Sequence, residues 1–209
     1  TVVLNPIATA RRDYPYWEGG KFDGTRPFVD NLFRFCHDQL RFKVVTKSNG
    51  IVIPEGVQAR RYPKRVVMHP ESSRDGKNWP REKYIQLAKQ LEQQGREVIF
   101  ALTEKERQGW EGVCIPECSS LHMLAQMVCE SGLMIGNDSG VGHLASCLGT
   151  PTVTICRSAA AARFWRPAWS PAKVITPSPL IPNLKGLRLR DKHWKKWISV
   201  KKILSAMRD

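Results

Sequence analysis

The stretch MIGNDSGVGHLASCLGTPTVTIC, residues 134–156, passes from a short apolar segment into the polar knot Asn137-Asp138-Ser139-Gly140. A helical pattern then runs to Gly149, and a second apolar segment follows. That order is strand, turn, helix, strand, the unit from which parallel sheets are built. The knot itself has two readings. In one, Asp138 or Ser139 caps the helix and His143 is a half-buried structural histidine. In the other, the unpaired N–H groups at the helix start, with Gly140 permitting close approach, face a negatively charged group.

The same alternation extends on the N-terminal side. RVVMHP (65–70) and REVIFAL (96–102) are buried-strand runs, and between them Pro80 opens the helical stretch REKYIQLAKQLEQQG, closed by Gly95 as C-cap. SSLHMLAQMVCESG (119–132) is a helix opening on Ser119 or Ser120, followed by the strand LMIG (133–136). Short apolar strands separated by helices define an α/β fold. Residues 65–176 are expected to form a Rossmann-like parallel sheet with helices on both faces. In such sheets ligands sit beyond the carboxyl ends of the strands, and both HPESSRDGKNWP (69–80) and GNDSGVGH (136–143) fall there.

The first of these loops carries Ser72, Ser73, Arg74 and Lys77 ahead of a helix start. Hydroxyls and a lysine beside free helix N–H groups complement phosphate oxygens in charge and in hydrogen bonding. The competing reading is a polar surface loop with an ordinary cap. Two such loops at one sheet edge are more informative than either alone.

Ahead of the α/β pattern, residues 1–27 are rich in Pro, Gly, Arg and aromatics without a period and read as an irregular arm. FVDNLFRFCHDQL (28–40) then places Phe28, Leu32, Phe35 and Cys36 at helical spacing, and SNGIVIPEG (48–56) marks a turn and a short extended piece. The expected organisation is therefore an arm, helix and connector over 1–63 and the Rossmann-like domain with a basic C-terminal segment over 64–209.

The 209 residues are 42% hydrophobic, enough for a buried core. Neither a signal peptide nor a spanning segment of about 18 apolar residues is legible, so the chain reads as cytoplasmic. Its six cysteines form no CxxC pair; Cys114-x3-Cys118 lacks a matching Cys/His pair, and no metal site is expected. With 33 Lys and Arg against 19 Asp and Glu, the formal charge of +14 favours a polyanionic partner: nucleic acid, an anionic membrane face or phosphorylated substrates. The surplus concentrates in KGLRLRDKHWKKWISVKK (185–202), where aromatics interleave with lysines. That segment suits an anionic lipid surface or single-stranded nucleic acid; equally, it is a solvated basic tail packed through Trp194 and Trp197.

The run HPESSRDGKNWPREKYIQLAKQL (69–91), followed by GNDSGVGHLASCLGTPTVTIC (136–156), resembles the C-terminal half of the lipopolysaccharide heptosyltransferases, glycosyltransferase family 9. The matched parts are a strand ending in His-Pro, paired hydroxyls, Lys-x-Trp-Pro before a helix, then Asp-Ser-Gly-x-x-His and Gly-x-Pro before the next strand. The resemblance implies the nucleotide-sugar donor domain of a GT-B fold, with ADP-heptose as the usual donor. It implies that Ser72, Ser73 and Lys77 contact the donor phosphates, and that Asp138, Ser139, Gly140 and His143 line the phosphate and sugar end. It further implies a ribose-gripping carboxylate, Glu104 or Glu106, and places Cys118 beside the adenine. The implied reaction moves a sugar to a hydroxyl of the lipopolysaccharide core, an anionic glycolipid. Preorganised cations and helix N-termini stabilise the leaving diphosphate without requiring a metal or cofactor. A peripheral contact with the inner membrane face of a Gram-negative bacterium goes with such an acceptor.

Two features depart from that pattern. The residues ahead of RVVMHP hold no glycine-rich strand-turn-helix from which the family's base carboxylate comes, so no catalytic base is assigned. RSAAAARFWRPAW (157–169) also replaces the family's Gly-x-Thr loop. The alternative to an enzyme is a non-catalytic nucleotide-sugar-binding module; a nucleic-acid partner, suggested by charge alone, lacks any recognisable motif.

Overall fold

The computed structural model describes residues 22–53, 55–72, 74–184 and 187–207. Five parallel strands form its sheet: β1 (Tyr62–His69), β2 (Glu97–Phe100), β3 (Ser131–Asn137), β4 (Thr152–Ile155) and β5 (Ala172–Ile175). Their spatial order is β2-β1-β3-β4-β5. Chain order reverses between β1 and β3, a topological switch point whose carboxyl-end crevice is where doubly wound sheets bind ligands.

Alternation within each strand decides which helices cover which face. Val66 and Met68 of β1, Val98 and Phe100 of β2, and Ile135 of β3 enter one core cluster. Tyr84, Leu87 and Leu91 of α2 (Arg81–Gln93) and Ile203 of α8 (Val200–Ala206) join them there. The intervening Val67, Ile99 and Met134 face the opposite side, with Val128 of α3 (Leu121–Cys129) and Ala145 of α4 (Gly140–Cys147). Each of these large apolar side chains contributes about 1.5–3 kcal/mol by leaving water. Both faces are consumed in this way, so the strands read as continuous apolar runs rather than alternating ones.

Two glycines are required by geometry. Gly95, at φ +76°, follows the C-cap Gln94, one residue beyond the cap position expected of it, and turns the chain out of α2. At Gly136 a Cβ would stand 2.7 Å from the His69 carbonyl oxygen, so only glycine lets β3 approach β1 this closely beside the switch point.

The segment preceding the sheet begins as expected with α1 (Phe28–Arg34), which closes in a π turn over Phe35–Gln39. Its buried face differs from the predicted one: Val29, Asn31 and Phe35 are inside, whereas Leu32 is exposed. The Asn31 side chain explains the shift. It donates to the carbonyls of Asp23 and Pro27 and accepts from the Asp23 N–H, drawing the preceding turn onto the helix. Phe22, Phe28 and Phe35 then pack on Phe164 of α5 (Ala159–Trp165), and Phe28 stacks on Trp165 with centroids 5.2 Å apart. The expected arm over 1–27 lies almost wholly outside the described residues.

The basic C-terminal segment forms α6 (Leu189–Lys192) and α7 (Trp194–Trp197) before α8. Trp194 is buried and Ile198 is fully enclosed, while Trp197 is exposed, so only one of the two tryptophans anchors it. The Lys83 ammonium of α2 donates to the carbonyls of Lys195 and Ile198, at 2.7 and 2.8 Å, and ties the segment down.

Candidate functional site at the switch point

β1 and β3 end side by side, with His69 in register with Gly136, so their following loops must meet. Asn137, almost fully buried at the end of β3, joins them. Its Oδ1 accepts from the Trp79 backbone N–H and the Tyr84 hydroxyl, each at 3.0 Å, and its Nδ2 donates to the Pro70 carbonyl. One side chain thus closes the β1 loop at both ends. Burial, and after it the charge of Glu71, raises the Tyr84 phenol well above its usual value, so it remains a donor to Asn137.

The clamp brings Lys77, on a 3-10 turn over Asp75–Lys77, to Asp138: Nζ and Oδ2 are 2.9 Å apart. This pair stands between two cavities. One, of about 550 Å3, is lined by Ser72, Glu106, Leu121, Leu124, Asp138, Ser139, Gly140 and Leu144 among others. The second, of about 270 Å3, is lined by Arg74, Lys77, Asp138, Cys156, Arg157 and Trp165 among others. The larger cavity combines an apolar wall from α3 and α4 with hydroxyls and two carboxylates, a composition suited to a nucleoside. The smaller is cationic and aromatic.

Ser139 occupies the N-cap position of α4, yet its side chain makes no capping bond. Its Oγ is enclosed and without a hydrogen-bond partner among the described residues. A buried hydroxyl with no protein partner is uncommon, and Ser139 belongs to the wall of the larger cavity. The cap reading of the knot therefore holds for the backbone but not for the side chain. A Cβ on Gly140 would stand in open space and its φ is not positive, so neither packing nor backbone conformation demands glycine there.

The other expected site residues divide. Ser72 reaches the larger cavity, its Oγ 2.6 Å from Asn78 Oδ1 and 3.1 Å from the Arg74 carbonyl. Ser73 lies outside the described residues. Glu106 lines the same cavity and accepts from the Thr103 N–H and hydroxyl in a capping box, whereas Glu104 is exposed and off the wall. His143, one turn into α4, is half-buried; burial lowers its pKa, with the Asp138 charge opposing. It is not part of either wall. Cys118 points its Sγ to the Ser120 carbonyl and lines neither cavity; Leu121 and Leu124 hold the wall it was expected to share. Among the described residues, no three His, Cys, Asp or Glu side chains gather as a metal site.

Asn137 and His69 entered the sequence reading only as part of the knot and of the His-Pro strand end, without a role, and the α3 leucines were not singled out. His69 Nδ1 lies 2.7 Å from the Ala101 carbonyl and must donate to it, leaving Nε2 as the ring's other functional nitrogen. A signal for Asn137 did exist: a carboxamide ending an otherwise apolar strand must find buried partners.

A doubly wound parallel sheet carrying two polar loops and a lysine–aspartate pair at its switch point defines the class of the fold: a Rossmann-like domain. More narrowly, the chain belongs to glycosyltransferase family 9, the heptosyltransferase family, whose model matches residues 47–193. The family 9 glycosyltransferase from Veillonella parvula shares the fold at TM-score 0.64 and 20% identity, over 90% of this chain and 61% of its own. E. coli heptosyltransferase WaaC with ADP-2-deoxy-2-fluoro heptose gives TM-score 0.59 at 14% identity, over 86% of this chain and 55% of that one. E. coli ADP-heptose lps heptosyltransferase II gives 0.54 at 21%, over 69% and 45%. The chain spans about half the length of these structures. No curated protein matches it. Among the described residues, no helix is long and apolar enough to cross a membrane.

Proposed function

We propose that residues 64–209 form the donor-binding unit of a heptosyltransferase. The reaction moves heptose or a related sugar from a nucleoside diphosphate sugar, most simply ADP-heptose, to the lipopolysaccharide inner core in the cytoplasm. The observation that carries this reading is the Lys77–Asp138 pair standing between a nucleoside-sized cavity and a cationic one. A nucleotide in the larger cavity directs its diphosphate at the free N–H groups of α4, the unpartnered Ser139 hydroxyl and Lys77. As the bond from sugar to phosphate breaks, negative charge grows on the leaving diphosphate. Cations and N–H groups already in place stabilise it without reorganising. Asp138 aims the lysine, and Glu106 offers its carboxylate to ribose hydroxyls.

One observation favours the second reading, a module that binds the donor without turning it over. Asp138 and Glu106 are the carboxylates lining the two cavities, and both are already held, by Lys77 and Thr103. Neither is free to take the acceptor's proton, and among the described residues no other carboxylate lines these two walls.

Calorimetric titration with ADP and ADP-heptose tests both readings, and transfer of labelled sugar to heptose-deficient core glycolipid separates them. Binding with transfer supports the enzyme, and binding without transfer supports the module. Absence of nucleotide binding sinks both.

A further inference from the structure

The chain leaves β5 at Ile175, on the same sheet edge as the candidate site, and returns to α6 through a closed loop. Leu184 and Leu187 exchange backbone hydrogen bonds of 3.1 and 3.0 Å, and the Arg190 N–H donates to the Pro182 carbonyl. The Arg190 guanidinium donates to the Pro179 carbonyl, and the Asp191 N–H to the Asn183 side chain. A loop bonded to itself this way has a shape, yet its apolar side chains point outward. Leu180 is 91% exposed and Leu184 70%, and Leu187, Leu189 and Trp197 are exposed with them. Scattered surface leucines need no explanation, but four within ten residues of one hydrogen-bonded loop do.

Residues 180–202 carry eight lysines and arginines against the single acid Asp191. Among the described residues none of these cations is in an ion pair; Arg190, Lys195 and Lys202 donate to backbone carbonyls, which leaves their charge uncompensated. Arg188, Lys192 and Lys196 are exposed beside the leucines and Trp197. Apolar side chains that stand out of a cationic surface fit one partner chemistry closely: a bilayer whose headgroups are anionic and whose acyl region takes leucine. Tryptophan beside them suits the boundary between the two.

We propose that Leu180, Leu184, Leu187 and Leu189, with Trp197 and the exposed Arg188, Lys192 and Lys196, form a docking surface for an anionic lipid bilayer. The surface is mechanically joined to the candidate site. The Trp194 indole donates to the Gly76 carbonyl at 3.2 Å and Lys195 to the Asp75 carbonyl at 3.0 Å, both on the turn that carries Lys77.

The test is co-sedimentation of the whole chain with vesicles of phosphatidylglycerol and phosphatidylethanolamine, against pure phosphatidylcholine. Binding is expected to the first and not to the second, and it should weaken as salt is raised. Leu180→Ser with Leu187→Ser should lower the partition about tenfold or more, and Lys192→Glu with Lys196→Glu should do the same. Val44→Ser with Val52→Ser, which alters exposed apolar residues elsewhere, should change nothing. These side chains are exposed, so unfolding temperatures should hold, and either loop variant alone suffices if the other fails to fold. The proposal is overturned if the unaltered chain ignores anionic vesicles or if the leucine variant binds them undiminished. It is overturned equally if the leucines instead prove to drive self-association in the absence of vesicle binding.

Discussion

The Lys77 ammonium lies 2.9 Å from the Asp138 carboxylate although the two residues are 61 positions apart, in loops that follow different strands. The pair is half-exposed, so its worth to stability is small, about 1 kcal/mol or less. Its worth to an incoming diphosphate is larger, because a charge-assisted hydrogen bond to phosphate contributes roughly 1.5–3 kcal/mol. Lys77→Met should therefore weaken ADP binding about 10- to 100-fold in calorimetry while shifting the unfolding temperature by only a few degrees. An unchanged ADP affinity would remove Lys77 from the site.

Asn137 predicts the opposite division. Asn137→Leu leaves the Trp79 N–H and the Tyr84 hydroxyl without their shared acceptor inside the core. The expected loss is roughly 2–4 kcal/mol of unfolding free energy, measured by urea denaturation. A loss under about 0.5 kcal/mol, within the range of a surface change, contradicts the clamp.

Ser139→Ala reverses the usual rule for a helix N-cap. Removing a capping serine normally costs about 1 kcal/mol, but this hydroxyl makes no capping bond and has no described partner. Stability should hold or rise slightly, and ADP affinity should fall several-fold. Calorimetry and thermal unfolding on one sample decide it: a destabilised variant with normal ADP binding restores the plain cap.

His143 gives a pH dependence whose sign follows from burial. Its folded pKa lies below the ordinary 6.5, so the unfolded chain takes up a proton that the folded chain refuses. Its neutral state is accommodated without penalty above pH 6.5, and stability falls as pH drops through 6.5 toward the folded value. His143→Gln should flatten that part of the stability profile, and NMR titration of the imidazole should give a midpoint below 6.5. A midpoint at or above 6.5 means that Asp138, not burial, governs the ring.

The two glutamates separate cleanly. Glu106→Gln should lower affinity for ADP several-fold and Glu104→Gln should not, because only Glu106 lines the larger cavity. Equal effects would mean that neither carboxylate acts by touching the nucleotide.

Much of the architecture was legible because it is written in local chemistry. Pro80 and Gly95 bracket α2, and the apolar runs of β1 to β4 could be recognised as strands. The candidate site was half legible. Ser72, Lys77, Asp138, Ser139 and Gly140 do converge, since each loop carries its own phosphate-like signature. The sequence left Glu104 and Glu106 as alternatives and set Cys118 beside the nucleotide, and local spacing does not say which side of a short turn faces a cavity. The capping box chose Glu106, and the start of α3 put Leu121 rather than Cys118 on the wall.

By itself, then, the sequence determined β1 to β4 and the helices among them, the parallel α/β class, the family and the two loops that face one sheet edge. Periodicity, caps and apolar runs are properties of neighbours in the chain, and they survive without a fold. Only the tertiary structure decided that β1 lies beside β3, that Asn137 closes the β1 loop, and that Lys77 meets Asp138 between two cavities. It also left Trp197 and the leucines of the β5–α6 loop outside the core that Trp194 enters. Those outcomes depend on strand order and on competition for a limited interior, which no stretch of neighbouring residues contains.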